Sequence, residues 1–270
     1  MRHYSRTEMA QVFDHILGER MPGAGAQGIN VLSTTQNYKI GARMQISNRV
    51  YHYGQSGGIC LDNQLSFMMN GQDSGMTAIG VGGVAPAGAT RITIMLANGG
   101  GPAQNGAYPA NYLAGGSIIF MTAGGIYTRG ILSNTAVAAG GGASTITIDA
   151  PIINPLIAAD STEVTASRYV RVVPNGDVTD GSQFASAVGL ATLPCVAEDY
   201  LWFQTWGPVW FGMNLTIGVA GNNRVGYVAA DGSAHPLATG GAEWQKAGTL
   251  INNAIGGGQG APFLNLELDP

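Results

Sequence analysis

The chain has 270 residues, 45% of them hydrophobic and only 10% charged, against about 25% charged in an average soluble domain. That length supplies a core without disulfide staples, and the hydrophobic share excludes intrinsic disorder, which goes with low hydrophobicity and high net charge. The net charge of −4 comes with no lysine/arginine run, so a nucleic-acid footprint is not expected, and no stretch of about 18 apolar residues is present to make a transmembrane helix.

A free monomer keeps a mixed, charged surface to stay dispersed, so a chain this poor in charge is expected to cover much of its surface with partners. The 42 glycines follow no G-X-Y period, which excludes collagen; they cluster between apolar or β-branched runs, as turn residues do. Cys60 and Cys195 belong to no C-x-x-C and read as two small buried hydrophobes rather than as a disulfide. The first 20 residues carry six charges and no apolar h-region, unlike a secretory signal. The expectation is a protein made and used in the cytoplasm of its producer.

In chain order, Ser5 with Glu8 three residues on forms a capping box. Met9, Val12, Phe13, Ile16 and Leu17 fall on one face, which predicts an amphipathic helix over 5–20. Gly/Ala/Pro residues follow as a flexible arm to residue 28. From there the pattern turns to β. Ala42–Ile46 and Arg49–Tyr53 flank a Ser47-Asn48 turn, and Ser117–Met121 and Ile126–Leu132 flank Ala123-Gly124-Gly125, two predicted hairpins. Arg91–Leu96, Thr145–Asp149 and Val164–Val173 read as strands, the last stopped by Pro174-Asn175-Gly176. Ala187–Thr192, Tyr200–Trp206, Val209–Asn214, Arg224–Val228 and Phe263–Leu268 complete the set. A second helix near Ile152–Ala159 is opposed by Pro151 and Pro155. No exact internal repeat is visible. Short strands at regular spacing predict a mainly β fold, with sandwich- or barrel-like antiparallel regions and a short N-terminal helix. The expected division is an arm at 1–28, a central β region at 29–158 and a C-terminal β region at 159–270.

Chemical motifs are weak. Gly54-Gln55-Ser56-Gly57-Gly58 matches G-x-S-x-G, with Asp177, Asp180, Asp199 and His235 downstream in hydrolase order. No clear helix follows Ser56, and the α/β alternation of a hydrolase is missing, so a glycine-rich loop is the better reading. Gly80–Ala85 matches G-x-G-x-x-A, but Pro86 and Gly88 deny it the helix that a dinucleotide site needs. The four histidines show no ligand spacing, and Asn175–Gly181 lacks the remaining positions of a calcium loop. No enzyme activity, metal or cofactor is expected. The aromatic run Tyr200–Phe211 is the most distinctive stretch. Trp202, Gln204 and Trp206 alternate with Leu201, Phe203 and Thr205, so both faces of that strand are expected to be covered. One face suits the core and the other a neighbouring subunit, where Trp and Tyr are enriched, with a carbohydrate-stacking platform as the third reading.

The run Tyr200-Leu201-Trp202-Phe203-Gln204-Thr205-Trp206-Gly207 is similar to the Y-x-W-x-Q-T-x-G stretch of a group of tailed-phage virion structural proteins. Ile40-Gly41-Ala42-Arg43 with Arg49-Val50-Tyr51-His52-Tyr53 resembles the same group's x-G-x-R…R-x-F-x-Y hairpin. Asn111-Tyr112-Leu113-Ala114-Gly115-Gly116 resembles its N-x-Y-A-G-G segment with the alanine displaced. The resemblance implies a virion protein of the capsid decoration (cement) type, usually trimeric. Its partners would be the major capsid protein and copies of itself, with no nucleic acid and no membrane. Met9, Phe13, Leu17, Tyr112, Trp202, Trp206 and Trp210 are the candidate interface residues. A tail-fibre or receptor-binding module is the alternative, with a serine hydrolase built on Ser56 behind it.

Overall fold

The computed structural model describes residues 25–68, 79–97, 107–174, 186–210, 212, 224–229, 231–236, 245–251 and 263–270. Met9, Phe13 and Leu17, with the helix expected over 5–20, lie outside the described residues. Every regular element among those described is a β-strand. The chain divides into two compact units, residues 70–168 and the remainder on either side. The expected cut at 158/159 is therefore misplaced; the second unit is an insertion within the first.

The first unit contains β1 (Arg43–Ile46), β2 (Arg49–Gln55), β3 (Leu65–Phe67), β10 (Val173–Pro174), β11 (Ala187–Ala191) and β12 (Tyr200–Trp210). It continues with β13 (Val225–Val228), β14 (Ala234–His235), β15 (Lys246–Leu250) and β16 (Phe263–Glu267). They make one half-barrel sheet in the order β10-β3-β11-β12-β16-β15-β13-β14, with the β1–β2 hairpin added to β12 through β2. All its strand pairs are antiparallel.

The inserted unit contains β4 (Ile79–Gly80), β5 (Arg91–Ala97), β6 (Ser117–Thr122), β7 (Gly125–Asn134), β8 (Gly141–Ile148) and β9 (Ser161–Thr165). Its order is β4-β9-β6-β7-β8-β5, and a Val81–Ile94 bridge brings the two ends together into a nearly closed barrel. Leu96, Leu113, Ile118, Phe120, Ile146 and Val164 fill it. The period-2 pattern of β5 and β8 supplies one inward residue in two, with the other side open to solvent.

Both predicted hairpins form. Ile46 pairs with Arg49 around Ser47, which takes a left-handed φ of 57°, and Thr122 pairs with Gly125. The strand expected over Val164–Val173 does not. β9 stops at Thr165, and the chain leaves the inserted unit after Arg168. Tyr169 and Val172 then join a different core, with Leu201 and Phe203. Ile152–Ala159 is not a helix; Leu156 bridges Ala85 instead. Val209 and Trp210 continue β12 through Gly207-Pro208, joining the two separate strands predicted over Tyr200–Trp206 and Val209–Asn214. Proline is tolerated because β2 pairs no further than Trp206, which leaves Pro208 to β16 alone.

Candidate interaction surface

β12 organises the first unit. Leu201 and Phe203 pack to one side with Tyr169 and Val188, and Trp202 packs to the other with Tyr38, Tyr51 and Tyr53. The covering of both faces is as the alternation predicts. Trp202, however, is fully enclosed. Its indole Nε1 donates to the Gln27 carbonyl at 3.0 Å, and its ring meets those of Tyr38 and Tyr53 at 5.1 Å. A side chain sealed within its own unit offers no surface to a partner, so Trp202 is a core residue and the interface assignment is corrected. Tyr112 is half-buried against the inserted barrel's core, edge-on to Tyr108. A bulge between Gln204 and Trp206 interrupts the alternation; Trp206 is half-buried, and Trp210 stands 46% exposed at the strand's end.

Gln27, placed by its sequence in the flexible arm, is instead a buried polar hub. Its Nε2 donates to the carbonyls of Val31 and Tyr200, each at 2.7 Å. Its Oε1 accepts from Tyr53 Oη at 2.7 Å and Asn37 Nδ2 at 2.9 Å. Every polar atom of the amide is thus satisfied, as burial requires.

A recurring corner is the feature of both units that sequence reasoning missed. In the first unit β2 leads through Cys60 to β3, and β11 leads through Cys195 to β12. β2 pairs with β12 and β3 with β11. The crossing is pinned by Cys60 N donating to Cys195 O at 3.1 Å and Cys195 N to Cys60 O at 3.0 Å. In the inserted unit β4 leads through Ala85 to β5, and β8 through Leu156 to β9, with β4 on β9 and β5 on β8. The same two bonds join Ala85 and Leu156, at 3.1 and 2.8 Å. Local chemistry repeats too. Asp199 Oδ2 accepts from Val196 N at 2.9 Å, and Asp160 Oδ2 accepts from Ile157 N at 2.8 Å.

The two bridges leave an equivalent surface. The central residues point inward, and their neighbours along each strand therefore point out. Antiparallel register sets Ile59 opposite Val196 and Leu61 opposite Pro194 in the first unit. In the inserted unit it sets Val84 opposite Ile157 and Pro86 opposite Pro155. All eight are exposed, Val84 at 78% and Ile59 at 63%. Single exposed apolar residues are ordinary; here four exposed apolar residues occupy the same place on each unit.

The residues of the hydrolase motif are occupied locally. Ser56 is fully buried; its hydroxyl donates to the Gly58 carbonyl and lies 3.5 Å from Cys60 Sγ. Asp199 is committed to its corner, and His235 Nδ1 sits 2.6 Å from the Pro236 carbonyl. Asp177 and Asp180 lie outside the described residues.

Fold and surface define a β protein of two units whose described strand pairs are antiparallel and which share one corner topology. A scan against protein-family models finds no match to the chain. Searches of curated proteins and of solved structures return no match either.

Proposed function

We propose that this chain is a tailed-phage virion structural protein, a capsid decoration subunit that stabilises the shell through many contacts to the major capsid protein and to copies of itself. The observation that carries the reading is the pair of exposed apolar corners, Ile59/Leu61/Pro194/Val196 and Val84/Pro86/Pro155/Ile157, on a chain with only 10% charged residues. Two docking points on one chain bridge two neighbours. Even where each contact is weak, repetition over a shell multiplies its effect. Exposed Trp210 adds an aromatic anchor of the kind enriched at interface centres. The resemblance of the Tyr200–Gly207 stretch supplies the capsid assignment and the trimer.

The test is co-sedimentation of the purified protein with empty shells of the source phage, with molar mass from light scattering. Wild type is expected to bind shells at high stoichiometry. The double variants Ile59→Glu/Val196→Glu and Val84→Glu/Ile157→Glu should each lose binding while keeping the wild-type unfolding temperature. Wild-type protein that ignores shells and binds glycans instead would move the assignment to a receptor-binding module.

A further inference from the structure

The two corners differ in one respect. Where the inserted unit has Ala85 facing Leu156, the first unit has Cys60 facing Cys195, both free thiols. A residue pair that exchanges both backbone hydrogen bonds holds its Cα atoms about 5.5 Å apart with both side chains on one side of the ladder. A disulfide spans Cα separations of roughly 4.4–6.8 Å. Both side chains pack in one cluster with Tyr169, Val172, Val188, Leu201 and Phe203.

We propose that Cys60 and Cys195 are an oxidation site, closing to an intramolecular disulfide by exchange with a low-molecular-weight disulfide such as oxidised glutathione. Cys60 is the attacking sulfur. The hydrogen bond from Cys195 Sγ pulls the Cys60 thiol down to about 7 against the opposing effect of burial, and Ser56 adds to the pull. The same shared proton, together with burial, holds Cys195 up. Cys60 thiolate attacks one sulfur of the external disulfide and expels one small thiol, leaving a mixed disulfide. Cys195 then loses its proton and attacks Cys60 Sγ, expelling the second small thiol. Two protein thiols are oxidised by two electrons, and one external disulfide is reduced to two thiols.

Both sulfurs are buried, so the reagent enters when the corner opens. Opening is local, because the crossing is a single bridge flanked by exposed Ile59, Leu61 and Val196. The product would replace a hydrogen-bonded crossing by a covalent one and enclose residues 61–194, the inserted unit included, in one closed loop. The inference stands apart from the capsid assignment, since it depends only on the geometry of the corner.

The experiment uses the full-length native protein, incubated with oxidised glutathione below its unfolding temperature. The expected product is a monomer lighter by two hydrogens, without thiols reactive after denaturation, giving a Cys60–Cys195 cross-linked peptide on non-reducing digestion. Its unfolding temperature should rise and return to the starting value on treatment with dithiothreitol. Cys195→Ser should stop at the glutathione adduct on Cys60. Two free thiols after prolonged oxidation, or cross-links between chains only, would overturn the proposal without need of any variant.

Discussion

Gly207→Ala tests the reading of β12 most directly. Gly207 has φ +92°, where an L residue costs about 1–2 kcal/mol. A Cβ built there would lie 2.2 Å from the Asn48 carbonyl oxygen and 3.0 Å from Arg49 Cα. Ordinary non-bonded contact is near 3.5 Å, so β12 and the β1–β2 hairpin must part by about 1 Å. Forced repacking of that kind costs roughly 1–3 kcal/mol. The stiffer unfolded chain returns about 0.4–1 kcal/mol. The net expected loss is about 1–5 kcal/mol, to be set against a typical stability of about 5–15 kcal/mol. Urea titration followed by tryptophan fluorescence reads the first unit, where Trp202, Trp206 and Trp210 lie on β12. Gly25→Ala, in the same unit, is the control, because nothing lies within 4 Å of its added methyl and its φ is not left-handed. A Gly207→Ala protein within about 0.5 kcal/mol of wild type would refute the argument that close approach and left-handed geometry demand glycine there.

Trp202→Ala should cost about 3–5 kcal/mol in thermal or urea unfolding, as expected for a buried tryptophan, whereas exposed Trp210→Ala should shift stability by no more than about 0.5 kcal/mol. Asn134→Ala should destabilise the inserted barrel by about 3 kcal/mol. The change removes an acceptor for Leu113 N and a donor to the carbonyls of Pro109 and Thr135, and faster hydrogen exchange at the Leu113 amide would report it. Glu267 is held below its ordinary value by a hydrogen bond from Lys246 Nζ, assisted by Thr249. A depressed carboxylate contributes stability above its unfolded value of 4.5 and loses it as pH falls through the lower folded value. Glu267→Gln should therefore cost up to about 1 kcal/mol at neutral pH, and the difference from wild type should vanish in acid titrations of stability.

The hairpins at Ser47-Asn48 and Ala123-Gly124 were legible because a turn between two alternating runs is local information. The cores were legible in part: the alternation of Tyr200–Trp206 announced a strand covered on both faces. Which face is sealed depends on Gln27 and Tyr38, which no local pattern connects to Trp202. Val164–Val173 misled for a related reason, since an alternating stretch carries no mark where a chain passes from one unit to another. The corners were hidden by distance, as the Cys60–Cys195 crossing joins residues from opposite sides of the insertion. Their shared grammar was hidden by inexact spelling. Lys39–Ala42, Pro86–Ala89, Pro109–Tyr112, Ala138–Gly141 and Val196–Asp199 are all turns whose fourth N–H donates to the first carbonyl. Each has a left-handed third residue, namely Gly41, Gly88, Asn111, Gly140 and Glu198. Glycine and asparagine there follow the rule for type II turns; Glu198 does not, and so conceals the fifth.

Phe67 of β3 and Val173 of β10 are hydrogen-bonded neighbours, and between them the chain spins out the whole inserted barrel. During synthesis the six strands of that barrel emerge complete while β3 still lacks both its partners, β10 and β11. The inserted unit therefore has everything it needs to fold first. The earlier, outer part of the chain must wait as an open edge until its second half leaves the ribosome. A chain arrested after residue 168 would carry a finished barrel on an unfinished sheet, and protease would be expected to trim it to the former.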